Sequence, residues 1–182
     1  MVEDGDRPPG RVIHNPVSGE RIEIRTSGTQ TDGRMLCFDV ILPPGGHVPA
    51  PHTHPEQVER FTVLAGQLRF RIGSKTLLAR PGQTIAVPAG KPHWFCNAGA
   101  EAAHARVEVE PALRMEELLV ASEALAHSGH LRRLSDLALV LLEFQHELGI
   151  PNVPAALART VLAPLAWLGR RRTRTLNYRR AA

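Results

Sequence analysis

Three histidines and one glutamate stand at spacings that suit the capture of a single metal ion. The first segment reads Gly46-x5-His52-x-His54-x4-Glu59-x6-Gly66, the second Gly82-x5-Pro88-x-Gly90-x2-His93-x3-Asn97. His52 and His54 are two residues apart, so on an extended strand both rings leave the same face, about 7 Å apart at about 3.3 Å per residue. Glu59 lies an odd number of residues away and would face the other way on an unbroken strand. Pro55 removes that conflict, because a proline cannot donate to a ladder and marks a bend or bulge that resets parity. His93 opens a strand just past a tight turn, where a neighbouring strand can aim a third imidazole at the same point. Three neutral nitrogens and one carboxylate suit Fe(II), Mn(II), Ni(II), Cu(II) or Zn(II), and leave up to two positions open on an octahedral ion.

The elements that must position these groups read as short strands at residues 12–13, 21–25, 34–42, 58–65, 68–72, 76–79, 83–87, 93–97 and 105–109. Leu36, Phe38, Val40 and Leu42 form one face with Asp39 on the other, and Leu68, Phe70 and Ile72 alternate with Arg69 and Arg71. Gly73-Ser74 suits a two-residue hairpin loop, and Val87-Pro88-Ala89-Gly90 a turn with proline second and glycine last. Eight or nine strands so spaced indicate a sandwich, jelly roll or barrel. After Pro111 the pattern changes. Residues 113–126 and 134–148 are rich in Leu, Ala and Glu and end near Gly129 and Gly149, which predicts helices. Residues 154–168 are apolar with Pro164 inside, which predicts a kink or two short helices. Residues 137–144 are nearly all apolar, so that helix should be buried against the strands or a second subunit. The division expected is 1–110 for the strand domain and 111–182 for a helical extension with a basic tail.

The two histidine segments resemble, position for position, both signature motifs of the cupins, over about residues 30–110. The resemblance implies a mainly β, double-stranded β-helix (jelly-roll) barrel with C-terminal α-helices attached and a metal at its centre. In cupins that match, the residues aligned with His52, His54, Glu59 and His93 are the ligands, and all four are present here. The family is chemically broad, and fold does not fix function. Three activities are implied. One is a non-haem dioxygenase, with Fe(II), acting on a chelating diketone, catechol, enol or thiol. Another is a redox-neutral isomerase, cyclase or decarboxylase, with Zn, Ni, Mn or Cu as possible ions. The third is a non-catalytic small-molecule-binding module, which as a sensor would normally carry an output domain that the C-terminal helices do not suggest. Pairing through sheet edges makes a homodimer the expected state.

Around the four ligands, Glu56 is a rival carboxylate, but Glu59 fits the spacing and leads into Phe61-x-Val63-x-Ala65. Glu59, or metal-bound water, would be the base, and Gln57 is placed either to hydrogen-bond a bound substrate or to sit in a solvated turn. Phe38, Val40, Phe61 and Phe95 share inward parity and would form an apolar substrate pocket, though barrel packing explains them equally well. His14, His47, His104, His127, His130 and His146 have no partner at ligand spacing and read as surface or loop residues. Cys37 and Cys96 read as small core residues, and Asn97 as a structural hydrogen-bonding residue.

The net charge of +4 hides an asymmetry: residues 148–182 carry seven arginines and no acid, whereas 1–147 carry 15 basic and 18 acidic side chains. One reading has the helix at 154–168 pack on the barrel mouth or across a dimer, with the basic tail in solvent. Peripheral contact with an anionic membrane through an apolar helix followed by Arg170-Arg171-Arg172 is a weaker reading. Nucleic acid is not an expected partner, because no basic stripe is interleaved with aromatics. Two cysteines and an acidic, polar N-terminus without an apolar run point to a reducing compartment, the cytoplasm.

Overall fold

A computed structural model describes residues 10–48, 50–128 and 133–172. Gly129 as a helix end, His130 and the basic run beyond residue 172 lie outside these residues. Among the described residues nine strands form: β1 (Val12–Asn15), β2 (Glu20–Thr26), β3 (Leu36–Leu42), β4 (Val58–Ala65), β5 (Leu68–Ile72), β6 (Lys75–Ala79), β7 (Thr84–Val87), β8 (His93–Asn97) and β9 (Ala103–Glu110). They pair antiparallel in two sheets, ordered β1-β2-β3-β9-β4-β7 and β6-β5-β8. Two antiparallel sheets are among the arrangements the strand pattern predicts, and they are consistent with the jelly roll that the cupin resemblance implies.

Period-2 alternation explains why the sheets face each other. Leu36, Phe38, Val40 and Leu42 on β3, Phe61 and Val63 on β4, and Leu68 and Phe70 on β5 are each at most 6% exposed. Phe61 crosses between the sheets, its ring 5.1 Å from that of Phe70 and 5.0 Å from that of Phe95. Burying one such ring contributes about 1.5–3 kcal/mol. The β5–β6 loop is Gly73-Ser74, as expected, with Gly73 at φ +56°. The turn before β8 sits one residue later than expected, since Lys91 N–H closes onto Pro88 O at 3.1 Å. Gly90, at φ +70°, takes the left-handed position inside it.

Three helices follow: α1 (Met115–His127), α2 (Leu134–Glu143) and α3 (Ala155–Arg172). Ala112, Met115, Leu118, Ala121 and Phe144 bury in the same core as the strands. The second helix stops at Glu143, short of residue 148. Phe144 leaves helical geometry (φ −111°, ψ 37°) and its ring is 1% exposed, with the Arg114 guanidinium 4.8 Å over it. The third is one helix with Pro164 inside, not two short ones. Pro164 and Thr160, whose carbonyl has lost its partner N–H, are both exposed, so water replaces the missing bond. No described helix is long and apolar enough to cross a membrane.

On the outward face of β3 the carboxylate of Asp39 is buried beneath cations. Arg25 Nε donates to it at 2.7 Å and Arg106 Nε at 2.9 Å, and His104 Nε2 lies 3.2 Å away. His104, expected at the surface or in a loop, is thus half-buried on the outward face of β9 beside an acid. Burial alone would raise the Asp39 carboxyl, but His104, Arg106 and Arg25 hold it well below the usual carboxylate range. A lowered pKa stabilises the fold above the ordinary Asp value of about 4, and that contribution is lost as pH falls below it. Asp39→Asn is therefore expected to cost about 1–2 kcal/mol at pH 7 and somewhat less at pH 3, where the folded-state carboxyl is still ionised but the unfolded one is largely protonated. The figure is discounted from a fully buried pair because both arginines reach solvent. Urea unfolding at the two pH values checks this.

Candidate metal centre

His52 and His54 do not lie on one of the nine strands. They occupy an extended segment between β3 and β4 that is stitched on alternate residues to different partners. His52 pairs with His93, its N–H reaching His93 O at 3.1 Å and the return bond spanning 2.9 Å. Thr53 pairs with Gly149 of the extension in the same way, at 3.1 and 2.8 Å. Gly90 N–H donates to His54 O at 2.8 Å, tying the turn before β8 to this segment. The chain then bends at Pro55-Glu56 and enters β4, and Glu59 turns inward, as the proline at 55 suggested.

The ligating atoms of His52, His54, Glu59 and His93 all lie within 4.8 Å of one another. His54, Glu59 and His93 are at most 5% exposed and His52 is half-buried. Each ring is oriented from behind. His52 Nδ1 meets Ala50 O at 2.9 Å, His54 Nδ1 meets Glu147 O at 2.5 Å, and His93 Nδ1 meets Lys91 O at 3.2 Å. A carbonyl can only accept, so each Nδ1 carries the hydrogen, and in the neutral ring each Nε2 then presents a lone pair. Glu59 Oε2 lies 2.9 Å from His93 Nε2 and 3.4 Å from His54 Nε2, yet none of these three atoms has a hydrogen-bond partner.

Acceptors facing acceptors in a buried site are costly unless something positive sits between them. Three imidazole nitrogens and one carboxylate are the donor set of a divalent transition ion, and the residues fit one. Burial, with His54 and His93 alongside, pushes the His52 imidazole down to about 3. Burial would raise the Glu59 carboxyl, but the surrounding imidazoles, His54 first, outweigh it and hold it at about 2. His52 and Glu59 are thus in ligand form near neutral pH.

The other expected site residues fall as follows. Glu56 is exposed and bonds His146 Nδ1 at 2.6 Å, away from the cluster. Gln57 is 1% exposed rather than solvated, and its Nε2 donates to Pro111 O and Ala112 O at 2.9 and 3.0 Å. Phe38, Val40, Phe61 and Phe95 are core residues, each at most 6% exposed. Asn97 donates to the carbonyls of Leu42, Pro43 and Glu101 and accepts from Gly99 N–H, a structural role. Cys37 is buried and Cys96 half-buried.

Two contributors escape motif reading. Glu147 supplies a carbonyl to His54 across 93 residues of sequence, and nothing local announces it. Glu20 shares parity on β2 with the core residues Ile22 and Ile24, and that alternation was the available signal. Burial pushes its carboxyl up to about 7, the Ser18 hydroxyl working against the rise and the Glu59 charge adding to it. A raised acid binds its proton in the folded state first, so stability falls as pH climbs from about 4.5 to about 7. Glu20→Gln should therefore gain on the parent by about 1–3 kcal/mol between pH 4.5 and pH 8, at the lower end because Glu20 keeps some solvent contact. Thermal unfolding of both proteins across that range reads the difference.

Residues 38–109 match the model of the cupin domain family. Among solved structures, the chain is similar to a Thermotoga maritima protein described as a predicted oxalate decarboxylase, at 22% identity and TM-score 0.50, covering 61% of this chain and 98% of that one. The cupin domain of Cnp3 from Schizosaccharomyces pombe matches at 17% identity and TM-score 0.47, covering 56% and 68%. TT1209 from Thermus thermophilus matches at 32% identity and TM-score 0.42, covering 43% and 74%. No curated protein matches the chain.

Proposed function

Because the chain belongs to the cupin superfamily, we propose that it is a metal-dependent enzyme acting on a small organic substrate, a non-haem dioxygenase that uses Fe(II). The observation that carries this reading is the set of four converging acceptors, three of them orphaned, with each imidazole tautomer fixed by a backbone carbonyl. Fe(II) bound there supplies redox chemistry toward dioxygen and a chelating enol, catechol, diketone or thiol. The chain's residues do the rest. The Nδ1–carbonyl bonds aim the rings, and Glu59 stays ionised without losing a proton first. Phe38, Val40, Phe61 and Phe95 would bound an apolar pocket on that side and limit water. Gln57 has both amide hydrogens engaged, so it would accept a hydrogen bond from substrate through Oε1 rather than donate one.

A second reading is redox-neutral isomerisation, cyclisation or decarboxylation with Zn, Mn, Ni or Cu, in which the ionised Glu59 would serve as the base. The Thermotoga maritima protein's description names a reaction of that kind, carbon dioxide loss from a dicarboxylate. Anaerobic loading with Fe(II), then oxygen-electrode recording with catechols, enols and thiols, separates the readings. Oxygen uptake with product supports the dioxygenase. Turnover without uptake, with Zn or Mn in place, supports the second. Saturable binding with no turnover by any metal leaves a binding module. The proposed setting is cytoplasmic and the proposed state a homodimer, which light scattering of the purified chain tests.

A further inference from the structure

Behind the metal-site segment lies a cavity of about 400 Å³ that none of the four converging side chains lines. Its floor includes the Thr53–Gly149 pair. Residues alternate along an extended segment, so Thr53 faces the cavity while His52 and His54 face the ion site. The walls include Leu142 and Leu148, at and after the end of α2, and Leu162 of α3. These leucines are only half-buried, which is what lining a hollow rather than a packed interface produces.

The charge on this cavity is one-sided. Among its described lining residues Arg159 is the one ionisable group, and no acid is among them. Residues 148–182 contain no acidic side chain, so α3 cannot neutralise it from within. Arg159 forms no ion pair among the described residues and is exposed at its position on α3. A cation at the edge of a leucine-walled space of this size calls for a ligand with an apolar body and one anionic end. A wholly apolar ligand would gain nothing from the guanidinium. A lipid with two long chains is too large for the volume.

We propose that this cavity binds a medium-chain carboxylate, its chain against Leu142, Leu148 and Leu162 and its head group on Arg159. The site is separate from the metal centre and does not depend on which reaction, if any, the centre performs. Gln145 and Asn152, also at the lining, are available to hydrogen-bond the second carboxylate oxygen.

Isothermal titration of the full-length chain with decanoate, below the concentration at which it forms micelles, tests this. The expected result is saturable binding of one decanoate per chain. Arg159→Glu should weaken it at least tenfold, and Leu162→Trp, which fills the space, should abolish it. Decanol, with the same chain and no charge, should bind at least several-fold more weakly than decanoate. Circular dichroism of each variant guards against mistaking unfolding for lost binding, and Arg159 is exposed enough for its exchange to leave the fold intact. Absence of saturable binding, several ligands adsorbed per chain, equal affinity in Arg159→Glu, or unchanged binding in Leu162→Trp would each overturn the proposal. Co-sedimentation with anionic vesicles that is lost in Arg159→Glu, without any binding of free decanoate, would also overturn it and assign Arg159 to a membrane surface.

Discussion

Replacing His93 with alanine is expected to lower affinity for Zn(II) or Co(II) by a few hundredfold or more, with little loss of stability in chelator. Structural four-ligand zinc sites are worth about 10–16 kcal/mol, so one ligand carries about 2.5–4 kcal/mol, and each 1.4 kcal/mol is tenfold. The second half of the expectation is the more discriminating one. A buried histidine that merely packs would cost stability on truncation whether or not metal is present. His93, by contrast, faces Glu59 at 2.9 Å with two acceptors opposed, and it has no hydrogen-bond partner on Nε2. Truncation removes an unsatisfied buried acceptor as well as packing, and the two effects offset. Metal should then raise the unfolding midpoint of the parent, by about 2.7 kcal/mol at a hundred times Kd, and leave that of His93→Ala where chelator puts it. Equal metal-induced shifts in parent and variant would defeat the assignment of His93 as a ligand.

What made these residues readable is their local character. Parity along β3 and β4, the proline at 55 and the turn before β8 each act within a few residues, and the strand spans follow from them to within a residue or two. Where expectation and structure part, a distant partner is the reason. The leucine-rich pattern runs on to 148, but burying the Phe144 ring in the strand core outweighed continuing α2 past Glu143. Asp39 was rightly read as outward-facing, yet its burial depends on arginines from β2 and β9 that only the sheet order brings together. Long-range pairing also fixes how the extension meets the metal-site segment, since the turn after α2 reaches back to residues 53, 54 and 56. It pairs Gly149 with Thr53, supplies the Glu147 carbonyl to His54 and sets His146 against Glu56.

That dependence has a consequence for one residue that touches no metal ligand. Gly149 is not in a left-handed conformation, so its backbone does not require glycine; its surroundings do. A Cβ added there would lie 2.5 Å from Thr53 Oγ1 and 3.4 Å from Pro55 Cγ. Gly149→Ala must therefore push the turn off the segment, and with it the Glu147 carbonyl that holds the His54 ring. Losing an orienting partner of a ligating histidine typically lowers metal affinity about ten- to a hundredfold, and that is the expected drop. A general loss of folding would give the same number, so the decisive comparison is the double variant. Thr53→Ala removes the one contact shorter than ordinary van der Waals distance, leaving Pro55 as the nearest neighbour. Affinity in Thr53→Ala/Gly149→Ala should recover most of the way to that of Thr53→Ala alone. The coupling between the two positions is then the signature of a steric clash at the Thr53–Gly149 pair. Additive losses instead would mean that the extension does not act on His54 through this contact.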